Sequence, residues 1–192
     1  MVAHRDAPDP AHRRLLLDYL GTRALLRTDP GPYEKRECEF LASWAAEEQD
    51  GATLAKLLDA FMYYDDPAVV SLALRHIAHP DARVRRAVAY ALPSGGPPSP
   101  EVAAARLALL RDPDTEVRTS ACAGLRHAAV LTRECVRELI LRTGDPDPGV
   151  REEAAAALAQ SADRSPDVAA ALRVQSGGDD LRRRRRRQQA TG

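Results

Sequence analysis

Aromatic residues are scarce in this chain of 192 residues, at 4 % of the total: one tryptophan, two phenylalanines and five tyrosines. All of them lie at or before Tyr90, so any core beyond that point must be assembled from aliphatic and small side chains. Cysteine is rarer still, and three residues without paired spacing argue against a disulfide framework and fit a reducing cytosol. No apolar run is long enough to cross a membrane, and the best N-terminal stretch, Leu15-Leu16-Leu17, is broken at once by Asp18. No apolar h-region or cleavage site follows the early basic residues, so a secretory signal is not expected. Lysine is confined to Lys35 and Lys56, which points to coding bias rather than to function.

What is abundant is alanine and leucine, arranged with a period. His79-Pro80-Asp81 with Val84-Arg85, Asp112-Pro113-Asp114 with Val117-Arg118, and Asp145-Pro146-Asp147 with Val150-Arg151 recur every 33 residues, and Leu92, Leu125 and Leu158 close the copies in register. The period continues through Asp66, Ser99, Thr132 and Ser165, all residues whose side-chain oxygen can accept an orphan N–H at a helix start. Pro67, Pro100 and Pro166 follow three of these, at a position where a missing N–H costs nothing. Val69, Val102, Cys135 and Val168 come next, then Leu74, Leu107 and Ile140. Each period therefore holds two helices, A opening after the Pro-Asp step and B at the Ser/Thr/Asp cap. A chain of stacked copies makes binding surfaces more often than catalytic sites.

The organisation that follows is a polar, proline-containing flexible lead over 1–10 and one elongated helical body over 11–174. Within the body, 11–48 reads as a divergent terminal pair. Its first helix, 11–27, is expected to bury a face near Leu15, Leu16, Tyr19, Leu20 and Leu26; its second, 32–48, a face of Cys38, Leu41, Trp44 and Ala45. Four further pairs occupy 51–78, 81–111, 114–142 and 147–174. Ser94-Gly95-Gly96-Pro97-Pro98 reads as a turn because the phase passes through it unchanged. Beyond about Gln175 periodicity ends and a disordered tail is expected over 175–192.

Formal net charge is zero, but unevenly distributed. The segment from Ser176 holds Asp179 and Asp180 and then Arg182, Arg183, Arg184, Arg185, Arg186 and Arg187, a net +4 that leaves about −4 on the body. A basic nucleic-acid-binding body is thereby disfavoured. The tail reads first as a solvated end, next as a candidate for nucleic acid or an anionic surface, because clustered guanidiniums release counterions from a polyanion, and third as a segment that associates with the acidic body.

Neither the Thr-Pro-Leu-His of ankyrin repeats nor the Trp/Gly/Tyr pattern of tetratricopeptide repeats recurs. The motif Asp-Pro-Asp-x-x-Val-Arg, followed by an Ala-rich helix and Leu, resembles HEAT repeats, in particular the short HEAT-like units of the phycocyanobilin lyase group. The resemblance covers 66–174 well and 11–65 weakly. It implies an all-α fold, a right-handed α-solenoid of about five antiparallel helix pairs, and Asp81/Arg85, Asp114/Arg118 and Asp147/Arg151 as structural repeat residues. These are i,i+4 pairs at helix starts; the resemblance implies instead a ladder bridging neighbouring units.

Chemistry is poorly represented. The metal-dependent hydroxylases of this fold carry His-Glu dipeptides, whereas here His4, His12, His76, His79 and His127 are followed by Arg, Arg, Ile, Pro and Ala. Its DNA glycosylases use a basic, aromatic-bearing face, which this body lacks. Cys122 and His127, five apart, do not form a convincing nucleophile pair, and Cys135 reads as a small buried hydrophobe. No catalytic residue, cofactor or metal is expected. The expectation is a cytoplasmic, non-catalytic adaptor or regulator for a protein partner, with an accessory lyase or modifying factor as the alternative and nucleic-acid association through the tail as a weaker one. Candidate partner-binding residues are Tyr63 and Tyr64 at a turn, where an aromatic can anchor an interface, and outward positions of B helices: Leu72 and Arg75 with Ser71, then Glu134, Arg137, Glu138 and Leu141. In 100–111 the buried stripe is expected through Val102, Ala103, Leu107 and Leu110, opposite Glu101, Ala104, Ala105 and Ala108.

Overall fold

Alternating caps and apolar stripes produce helices throughout the computed structural model, which describes residues 5–25, 34–61 and 67–174. The expected disordered tail, the residues Tyr63 and Tyr64, and the cap Asp66 lie outside these. The helices are α1 (Pro10–Leu25), α2 (Glu34–Glu47), α3 (Gly51–Ala60), α4 (Pro67–Arg75), α5 (Ala82–Ala91), α6 (Pro100–Leu110), α7 (Thr115–Leu125), α8 (Arg133–Arg142) and α9 (Pro148–Gln160). A last helix, α10, covers 166–174. Among the described residues there is no strand. The fold is an α-solenoid, all-helical and built from successive helix pairs.

The helix starts are chemically explicit. Asp50, Asp81, Asp114 and Asp147 stand in extended backbone ahead of α3, α5, α7 and α9, each accepting one or two backbone N–H bonds from the first turn. Ser99 and Thr132 do the same for α6 and α8, through Val102 N–H and Cys135 N–H. Ser165 accepts from Val168 N–H at 3.4 Å. Pro100 and Pro148 occupy the first turn, where no intrahelical donor is needed. Caps of this kind contribute about 1 kcal/mol each, which matters for helices of only three turns.

The chain divides into two compact units, one ending at Pro93 and one beginning at Ser94. In the first, α3 lies between α1 and α5, and α2 packs on α3 and α4. Its core is Leu17, Leu20, Leu41, Trp44, Leu54, Leu57, Leu58, Phe61, Leu72, Val84 and Val88. The expected face of α2 is fully buried, whereas on α1 the expectation fails in part. Leu15 is 69 % and Tyr19 63 % exposed, while Leu17 and Leu20 turn inward. Three consecutive leucines leave the phase of that helix undecided in sequence, and packing against α3 selects the Leu17/Leu20 side.

In the second unit, α6 packs on α7 and α8, and α9 on α7 and α8. The periodic rows converge here: Val117 and Val150, then Val102, Cys135 and Val168, then Leu125 and Leu158 are all buried. On α6 the buried stripe is Val102, Ala105, Arg106, Leu109 and Leu110, so Ala105 is corrected from the outer to the inner face. Ala103 and Leu107 are half-buried. The turn at 94–98 is pinned to the end of α7, where Ala129 N–H donates to the Ser94 carbonyl at 2.8 Å.

Candidate interaction surface

The repeated motif ties the helix starts to their own turns, and in the second unit it joins one repeat to the next, before it builds any surface. The motif's second aspartates are engaged as caps, and its arginines fold back: Arg85, Arg118 and Arg151 each donate to the carbonyls six and five residues earlier, at 2.8–3.1 Å. Arg118 goes further. Its Nε and Nη2 grip Asp145 at 3.0 and 3.1 Å, joining the start of α7 to the turn before α9. Asp145 also accepts from Arg142 Nη1 at 3.1 Å and from Asp147 N–H at 3.1 Å. Arg142 continues to Glu138 at 3.2 Å, and Glu138 to Arg111 at 2.7 Å. Burial alone would raise the Asp145 carboxyl, but the hydrogen bonds and charges of its donors hold it below the usual range.

Helix phase places Glu138 on the outer face, but the structure buries it. It is 3 % exposed, because it lies on the flank of α8 that meets Arg111 at the end of α6. Leu72 is corrected in the same way: with Val69 and Ala73 it forms the buried stripe of α4, leaving Ser71 and Arg75 exposed. The charged joint centred on Asp145 was missed in sequence. The signal available was the first aspartate of Asp-Pro-Asp, which stands at the same phase as Asp112.

The surface that remains on the B helices of the second unit is regular. Glu134, Arg137 and Leu141 are exposed at i, i+3 and i+7 on α8, along one face. The positions one period earlier on α6 are Glu101, Ala104 and Ala108, and one period later on α10 are Asp167, Ala170 and Val174, all exposed. Leu141 is 62 % and Val174 73 % exposed, at equivalent places of successive repeats. The result is an edge along the helix starts that carries Glu101, Glu134 and Asp167 with Arg133 beside them, small residues around Arg137 in the middle, and an apolar edge at the helix ends. Tyr63, Tyr64 and Arg182–Arg187 fall outside the described residues.

Groups with chemical potential are engaged or sealed. Burial pushes the Cys122 thiol up to about 12, and Cys38 and Cys135 are buried as well. His127 is exposed while Cys122 is interior. His76 and His79 meet edge to face at 5.9 Å, and His79 Nδ1 accepts from Asp81 N–H. Burial, then His79 and Arg75, depress His76. A cavity of about 320 Å³ in the first unit is lined by Arg5, Arg13, Trp44, Glu47 and Glu48, among others. Its polar groups answer one another: Arg13 grips Glu48 at 2.8 and 3.0 Å, Trp44 Nε1 donates to Glu48, and Arg5 pairs with Glu47. Among the described residues no three His, Cys, Asp or Glu side chains are grouped to hold a metal, and no helix is long and apolar enough to cross a membrane.

Comparison with known proteins agrees with this architecture. The family profile described as HEAT repeats matches residues 102–191. A solved structure, a designed armadillo repeat protein in complex with the peptide (KR)4, superposes with a TM-score of 0.58 at 15 % identity, covering 95 % of this chain and 89 % of its own. No curated protein matches the sequence.

Proposed function

From the premise that this chain is a HEAT-like repeat protein, we propose that it is a non-catalytic adaptor or regulator that binds a protein partner across its B-helix surface. The observation that carries this reading is the pair Leu141 and Val174, exposed in register on successive repeats of the second unit and flanked by charges of both signs. An isolated exposed leucine is ordinary, whereas apolar groups repeated along one edge offer a partner a continuous track. Repeat solenoids commonly mediate protein interactions, and the designed armadillo structure holds a peptide. The binding group of the second unit is accordingly Glu134, Arg137 and Leu141 on α8, while Arg75, exposed on α4, is a separate candidate of the first unit. A cytoplasmic setting fits its three buried cysteines, which lack paired spacing.

The test is affinity capture from the protein's own cell extract with wild type, Leu141→Asp and Glu152→Arg, read by mass spectrometry after nuclease treatment. Glu152 is exposed on α9, an A helix. Stoichiometric proteins retained by wild type and Glu152→Arg but lost with Leu141→Asp support the reading. Equal capture by all three overturns it.

A further inference from the structure

We propose that the chain's own C-terminal segment, Asp179 to Arg187, docks on the B-helix surface of the second unit. The segment has a polarised sequence: two aspartates, Leu181, then six arginines. The surface is polarised in the complementary sense. Its acidic edge is Glu101, Glu134 and Asp167, its apolar edge Leu141 and Val174, and Arg137 stands between. Arg173, also exposed near the end of α10, adds a second cation beside the apolar edge. The acidic stretch of the segment therefore meets Arg173 and Arg137, and the arginine run meets the acidic edge.

Chain length permits this. The segment leaves from Val174, itself part of the surface, and an extended chain advances about 3.3–3.6 Å per residue. Asp179 can thus reach about 17 Å from Val174 and Arg182 about 27 Å. Packed helices stand about 8–10 Å apart, so α8 and α6 are both within reach. Three residues of extended chain span the same distance as one helix-to-helix step. Two arginines three apart within Arg182–Arg187 can therefore address acids on two neighbouring helices, such as Asp167 and Glu134. A run of one sign against an edge of the other also concentrates the segment where its short tether already places it. The docked segment occupies the face assigned above to a protein partner, so the inference rests on that reading and makes the segment its competitor.

The experiment uses the full chain with Ala190→Cys carrying a nitroxide label, since the three native thiols are buried. Amide signals in a two-dimensional NMR spectrum are compared with the label oxidised and reduced. The expected result is signal loss concentrated at Glu134, Arg137 and Leu141 and along α10. It should be restored by Glu134→Arg and by about 1 M salt, where the screening length falls to about 3 Å. Signal loss spread evenly, centred on α7 and α9, or unaffected by Glu134→Arg overturns the proposal. So does loss seen only between labelled and unlabelled copies in a mixed sample. Any of those results alongside capture that still depends on Leu141 overturns the docked segment alone; the expected result alongside equal capture by all variants overturns the adaptor reading alone.

Discussion

Replacing Asp145 with leucine removes the centre of the buried charged joint while keeping a side chain of similar bulk. Four donors converge on this carboxylate: two from Arg118, one from Arg142 and the backbone N–H of Asp147. Taking one partner from a buried ion pair costs about 3–5 kcal/mol, because the opposite charge is left without compensation. Arg118 would still donate to the Asp112 and Pro113 carbonyls, both at 3.0 Å, and Arg142 would keep Glu138. The loss should therefore fall near the lower end, about 3 kcal/mol. For a domain of this size that lowers the melting temperature by more than about 10 °C. The assay is thermal unfolding followed in parallel by far-UV circular dichroism and by the fluorescence of Trp44, the single tryptophan, which reports the first unit. The early transition should be visible by dichroism. Adding Arg118→Leu to the same chain should recover part of the loss, since both buried charges of the pair are then gone. A cost for Asp145→Leu below about 1 kcal/mol, the range of surface pairs, would refute the reasoning.

Acid should find the same joint. Asp145, Asp50 and Asp81 have carboxyls held below their usual values, the last two chiefly by hydrogen bonds from Thr53 and Arg83. Their contribution is fully present above the unfolded carboxylate value near pH 4 and lost as pH falls through the lower folded values. Urea midpoints should drop steeply below about pH 4 and less steeply in Asp145→Asn. Gly51→Ala should destabilise the first unit although alanine is the better helix former. A β-carbon there would collide with the Asp81 carboxylate, lying 3.1 Å from its Cγ, and displacing that cap should cost about 1 kcal/mol. The chain should show no thiol reactive toward a disulfide reagent at pH 8 until denaturant is added, given Cys122 near 12 and all three thiols buried. Rapid native-state labelling would contradict the sealed core.

Much of this molecule could be read without coordinates because its signals are local. An Asp, Ser or Thr ahead of a first turn places a helix start by satisfying a particular N–H, and Asp114, Ser99, Thr132 and Asp147 did so at the expected residues. The 33-residue period then assigned Val102, Cys135 and Val168 to one buried row from their spacing alone. What spacing could not supply was the direction of each helix face. Leu15, Leu16 and Leu17 are chemically alike, and only the position of α3 turns Leu17 inward and leaves Leu15 in solvent. Glu138 resembles an outward residue until Arg111 from the end of α6 is placed against it. Helix identity and repeat phase were therefore determined by the sequence itself, through bonds spanning a few residues. Which side of each helix meets a neighbour, and so which charges are buried and which form a surface, was decided by the tertiary structure, because burial is a property of two packed helices and not of one.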